Sequence, residues 1–147
     1  MPGGRAEGVQ DSGQALDVVM TLVRLLRDTA AAGGLSLTDV RLLKRLAERV
    51  RTASDLAADL DLTAATVSVA LDGLVRRGLV ERRDPGDDRR SVPLAATSDG
   101  RAILDAARGR QIEALGALVA GLRPAERRAL RVALSGLARV LSADRQP

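Results

Sequence analysis

Apolar residues recur at spacings of three and four along most of the chain, a pattern that predicts amphipathic helices. The first stripe begins near Leu16 and stops at the Gly33-Gly34 pair, because glycine favours the end of a helix. Two short apolar segments around an acidic turn interrupt the pattern and predict a β-hairpin. The predicted elements are helices over 16–32, 37–50, 53–60, 64–77, 98–123 and 124–141, and strands over 79–83 and 90–95.

Residues that cap helices precede four of the predicted helices. The expected N-caps are Ser36, Thr52, Thr63 and Thr97, and Asp39 and Asp55 complete two capping boxes. Gly78 is placed to end the helix over 64–77 in the left-handed conformation that glycine tolerates best. The bounds of the central elements therefore rest on chemistry that is independent of the apolar spacing.

Two short helices joined by about three residues and followed by a hairpin are the order of a winged helix-turn-helix. The predicted fold is mainly α with a small β-hairpin wing, and it combines a winged helix-turn-helix head with a helical dimerisation layer. We place the head at 36–97 and the helical layer at 14–34 and 98–143, in a single domain over 14–147. The polar, glycine-rich residues 1–13 are expected to form a disordered tail.

The first helix carries apolar residues on more than one face, since Val18 and Leu25 lie off its main stripe. A partner chain is one candidate for the second face, and a more buried place in the chain's own core is the other. Composition favours the partner: 46% of the residues are hydrophobic but 0% are aromatic. Aliphatic side chains bury less area than aromatic ones, so burial at a subunit interface would add needed stability.

Positive charge is carried almost entirely by arginine. Lysine and arginine number 23 against 19 acidic residues, a net charge of +4, and Lys44 is the single lysine. The planar fork of arginine suits phosphate and guanine. A genome rich in G and C would also enrich arginine, so the charge by itself does not establish binding to nucleic acid.

The chain has no cysteine and no histidine, which excludes disulfides, thiol redox chemistry, the usual zinc ligands and Cys–His or Ser–His catalysis. No glycine-rich phosphate loop follows a strand. We therefore expect no enzyme activity, no catalytic residue, no metal site and no cofactor. The first residues lack the apolar stretch that is typical of a signal peptide, and no apolar run is long enough to span a membrane, so a cytoplasmic location is expected.

The second helix of the motif offers the candidate contacts to DNA. Thr66 and Ser68 can hydrogen-bond to bases or phosphates, whereas Val69 can make only apolar contact, for instance with a thymine methyl group. Arg76 and Arg77 stand at the end of this helix, where they would contact phosphate or interact with the helix dipole. No Asn, Gln, Arg or Lys occupies the first two turns, so strong bidentate recognition of bases is not expected.

Arginines flank the predicted hairpin turn on both sides. They are Arg82, Arg83, Arg89 and Arg90, and the acidic residues between them are Asp84, Asp87 and Asp88. A hairpin tip can place arginine in a narrow minor groove. Asp88 is expected to support the wing by pairing with Arg90 or a neighbouring backbone group. A charged turn that only faces solvent is the alternative.

From Ser36 to about Leu141 the chain resembles the MarR family of bacterial transcription regulators. The resemblance rests on the segment Val75–Arg83, on Asp88-Arg89-Arg90 and on Thr66-Val67-Ser68 at the position of the family's recognition helix. It implies a homodimer whose terminal helices interlock, and a short pseudo-palindromic operator in double-stranded DNA. It also implies DNA contacts from Ala65, Thr66, Ser68 and Val69 in the major groove and from Arg90, supported by Asp88, in the minor groove.

The resemblance further implies a repressor that a small-molecule effector can release, although nothing in the sequence identifies one. Two departures bear on specificity, because Ala65 stands where serine is frequent and Val69 where a polar residue is frequent. An alternative function therefore stays open, a winged-helix module for protein interaction or DNA architecture with weak, non-specific DNA binding.

Overall fold

The computed structural model describes residues 3–84 and 92–143. Within these ranges it contains α1 (Gly3–Ala31), α2 (Leu37–Glu48), α3 (Ala53–Leu60), α4 (Ala64–Arg76), β1 (Val80–Arg82), β2 (Leu94–Ala96), α5 (Ser98–Ala120) and α6 (Pro124–Ala143). The predicted fold class, mainly helical with a small β-hairpin, is confirmed. The chain divides into two compact units, Met1–Gln111 and Ile112–Pro147, and the division falls within α5.

Two predicted bounds differ from the structure. Helix α1 begins at Gly3, upstream of the start that the apolar stripe predicts near Leu16. Each residue added to an existing helix gains a hydrogen bond without the cost of a new nucleus. Strand β2 begins at Leu94 because Pro93 has no N–H to donate, although its carbonyl accepts a bond of 2.8 Å from the N–H of Arg83.

The predicted caps determine where the central helices begin. Both capping boxes are present: Ser36 Oγ accepts from the N–H of Asp39, and Thr52 Oγ1 accepts from the N–H of Asp55. Each aspartate carboxylate in turn accepts the backbone N–H of its partner, at 2.8 and 3.0 Å. These reciprocal bonds satisfy N–H groups that have no acceptor within a first helical turn.

Helices α2, α3 and α4 enclose an aliphatic core that holds the helix-turn-helix together. The turn passes through Asp61, which adopts the left-handed conformation (φ 51°, ψ 51°). Asparagine and aspartate tolerate this region better than most residues, and the turn can therefore be tight. The fully buried large side chains of the unit are Leu35, Leu42, Leu43, Leu46, Leu56, Val67 and Leu74.

The hairpin is antiparallel, with Val80 opposite Ala96 and Arg82 opposite Leu94. Arg51, just before α3, pairs with Leu94 on the other edge of β2 through two backbone bonds of 3.1 and 2.8 Å. This added bridge was not predicted. It ties the base of the wing to the start of the helix-turn-helix, and all of β2 is buried.

Candidate nucleic-acid interface

The exposed face of α4 is set by its buried face. Val67, Leu71 and Leu74 point into the core at spacings of four and three. Between them Ala70 is half-buried against the core, whereas the predicted contacts are all exposed. These are Ala65, Thr66, Ser68, Val69, Arg76 and Arg77. The structure thus brings the major-groove candidates onto one accessible helix.

The Thr66 hydroxyl is partly engaged within the helix. Its Oγ1 lies 2.8 Å from Oγ1 of the N-cap Thr63, which also accepts the N–H of Thr66 at 3.2 Å. A hydroxyl that already has one partner retains some capacity for a second bond. The Thr66 hydroxyl could therefore still form a hydrogen bond to another molecule. Its bond to Thr63 also stabilises the first turn of α4.

The Arg82 guanidinium is held against α4. Its Nη2 donates to Oδ1 of Asp72 at 2.9 Å, and the bond joins strand β1 to helix α4. Arg82 was predicted as a DNA contact, and Asp72 was not singled out. Asp72 and Arg82 are ten residues apart, one in a helix and the other in a strand. No spacing rule relates such positions, so the sequence did not predict that they pair.

The remaining predicted wing residues, Asp88, Arg89 and Arg90, lie outside the described residues. The part of the hairpin that is described brings Arg82 and Val92 beside α4. A cleft there, about 280 Å³ in volume, is also lined by the hydroxyl-bearing side chains Ser54 and Ser68 and by Asp72. Thr52 also lines the cleft, which thus places a guanidinium and three hydroxyl-bearing side chains next to the exposed face of α4.

The N-terminus of α3 borders the same cleft, and Asp55 of its capping box is ionised at neutral pH. The backbone N–H of Thr52, aided by the Thr52 side chain, holds the pKa of the Asp55 carboxyl below its usual value. The carboxylate therefore remains an acceptor down to acid pH. Its negative charge is matched to the positive end of the helix dipole.

The Asp72–Arg82 pair is expected to contribute little to stability, because the two side chains are 57% and 58% exposed. A double-mutant cycle of Asp72→Asn and Arg82→Gln should give a coupling free energy of about 0.2–1 kcal/mol in urea unfolding at low salt. The coupling should shrink at high salt because ions screen exposed charges. A coupling that does not depend on salt would contradict an ion pair.

Two kinds of site are not found among the residues that the structure describes. Within 3–84 and 92–143, no three acidic side chains are grouped so that they could hold a metal ion. No helix in the same ranges is long and apolar enough to cross a membrane.

Comparison with known proteins agrees with the geometry of the head. Residues 33–91 match the family model described as MarR family. A solved MarR-family transcriptional regulator from Rhodococcus sp. RHA1 is 27% identical, covers 88% of this chain and 94% of its own, and superposes with a TM-score of 0.70. The predicted resemblance to the MarR family is confirmed over residues 33–91. The superposition also confirms the predicted winged helix-turn-helix fold.

Two further proteins that are similar to this chain are informative. The HTH-type transcriptional repressor YetL of Bacillus subtilis (strain 168) is 38% identical over 52 residues, which span 35% of this chain and only 31% of YetL. A variant of MepR from Staphylococcus aureus, bound to an oligodeoxyribonucleotide, shares the fold with a TM-score of 0.66 at 21% identity, covering 88% of this chain and 96% of that one.

Proposed function

We propose that this chain is a homodimeric, DNA-binding transcription repressor that recognises a short pseudo-palindromic operator. Helix α4 enters the major groove and the arginine-bearing wing enters the adjacent minor groove. The observation that carries the proposal is the exposed outer face of α4 together with the exposed arginines Arg76, Arg77 and Arg82. The repressor named YetL and the DNA-bound MepR support the same direction of function.

Exposed apolar side chains support the homodimer. Helix α6 (Pro124–Ala143) has no buried residue, yet Leu134, Leu137 and Leu141 share one stripe. Helix α1 likewise exposes large aliphatic side chains, namely Leu16, Val18, Val19, Met20 and Val23. Exposed aliphatic stripes of this size are typical of subunit interfaces. A second copy of the chain would bury them and present two copies of α4 to two half-sites.

The experiment that tests the proposal is selection of duplexes from a random pool, followed by affinity measurements at several salt concentrations. Arginine–phosphate contacts release counterions, so the affinity should fall steeply with salt. Arg77→Gln should weaken binding to all duplexes alike and lower the magnitude of the salt slope by about one per subunit. Arg49→Gln is the matched control, since Arg49 is exposed but lies outside α4 and the hairpin.

Failure to enrich any sequence would favour the alternative function, an interaction or architectural module. The observation that favours this alternative is the strong exposure of Val69, because an exposed apolar side chain can also bind a protein partner. Thr66→Ala and Arg90→Ala separate the two functions. Loss of operator binding in both variants supports the repressor, whereas unchanged DNA binding together with loss of a protein partner supports the module.

A further inference from the structure

A shallow groove runs beside the exposed face of α4, between the N-terminal turns of α2 and α4. Its α4 wall consists of Ala65, Thr66, Val69 and Ala70, and its α2 wall of Ser36, Thr38 and Asp39. Val69 is 74% exposed, the largest exposed fraction among the exposed large hydrophobic residues of the described chain. An apolar side chain in a proposed DNA-binding face gains binding free energy only if it contacts an apolar group on the DNA.

Three of the four polar side chains that line this groove are bonded within the protein, and the fourth is Thr38 on the α2 wall. Ser36 and Asp39 bond to each other's backbone in the α2 capping box. The Thr66 hydroxyl is bonded to Thr63. Apart from the Thr66 hydroxyl, which already has one partner, α4 presents carbon along the groove, from Ala65 and Val69, which lie one helical turn apart on one face.

The major groove of DNA offers one apolar group, the C5-methyl of thymine. We propose that Val69, together with Ala65 and Ala70, reads a thymine in each half-site through this methyl group. The inference rests on the proposed repressor function and assigns the chemistry of its base recognition. Residues 64–71 contain no Asn, Gln, Arg or Lys that could instead make bidentate bonds to a base in the first two turns.

The choice of valine fits this task. A β-branched side chain in a helix occupies essentially one χ1 rotamer, so its methyl groups are already in place before DNA arrives. Burying one methyl group changes the binding constant by about fourfold. Two half-sites bound by a dimer make the expected effect roughly fifteenfold.

Replacing thymine with uracil tests the inference, because it removes the methyl group and leaves the hydrogen-bonding edges unchanged. The probe is the duplex recovered by selection, compared with a copy that carries deoxyuridine for thymidine in both half-sites. The wild-type dimer should bind the thymine duplex about fifteenfold more tightly. In Val69→Ala this ratio should fall towards one, whereas Val50→Ala, which alters another exposed valine of the same unit, should keep it.

The outcomes separate this inference from the function on which it rests. A specific duplex that binds equally well with thymine or uracil overturns methyl recognition and leaves the repressor intact. A preference for thymine that persists in Val69→Ala assigns methyl recognition to another residue and also overturns the inference. If selection enriches no duplex, the proposed function fails first, and the groove beside Val69 is then no DNA contact.

Discussion

A Leu137→Glu variant is expected to be monomeric and to bind operator DNA at least about a hundredfold more weakly than the wild-type chain. Leu137 is 58% exposed in a helix without a buried residue, at the centre of the stripe that includes Leu134 and Leu141. A glutamate there would bring an unpaired charge into the proposed dimer surface, where its desolvation is strongly unfavourable. Without a dimer, each head binds one half-site and the gain from joined half-sites is lost.

Light scattering of the purified variant gives the oligomeric state, and fluorescence anisotropy with the selected duplex gives the affinity. Ser135→Glu is the matched control, because it introduces the same charge at an exposed position away from the leucine stripe of α6. It should remain dimeric. A Leu137→Glu protein that is still a dimer would place the subunit interface elsewhere, and a monomer with undiminished affinity would disconnect dimerisation from DNA binding.

The second large effect is expected at Gly100, in the first turn of α5. Gly100→Ala should destabilise the fold by about 3 kcal/mol. A Cβ at this position would lie 2.0 Å from the carbonyl oxygen of Leu79 and 3.3 Å from a methyl carbon of Leu43. The clash is with backbone that is itself bonded, since the same Leu79 oxygen accepts the N–H of Thr97 at 3.1 Å. Neither the Leu79 carbonyl nor the first turn of α5 can move away without loss of the hydrogen bond between Thr97 and Leu79.

Urea unfolding of the variant and the wild-type chain measures the change. Gly109→Ala, in the same helix, is the control, because nothing lies within 4 Å of its added Cβ. That variant should be more stable by about 0.5–1 kcal/mol, since alanine loses less conformational entropy than glycine in a helix. A Gly100→Ala protein as stable as the wild-type chain would mean that α5 does not pack on Leu79 as described.

The starts of α2 and α3 were predictable because their causes are local. A cap and the N–H that it accepts are three residues apart, as in Ser36–Asp39 and Thr52–Asp55, so the pair is visible in the sequence. The burial of α4 was predictable for the same reason, because side chains four residues apart share a face. The list of exposed residues on α4 followed directly from that face.

The arrangement around α4 was not predictable in this way. The side chain that accepts the hydrogen bond from the Arg82 guanidinium depends on how β1 packs against α4. In the described residues this acceptor is Asp72, and not an acidic residue of the wing. Likewise, the exposure of Val69 in a groove depends on α2 lying beside α4, which no spacing in either helix specifies.

The sequence by itself therefore determined the order of the elements, their caps, the buried stripe of α4 and the resemblance to the MarR family. Only the tertiary structure decided that Arg51 bridges Leu94, that Asp72 holds Arg82 and that Gly100 must lack a side chain. The physical reason is the range of the interactions. Capping and helical periodicity involve residues within one or two turns of each other. These three contacts join residues of separate elements, and they form only when those elements pack together around the aliphatic core.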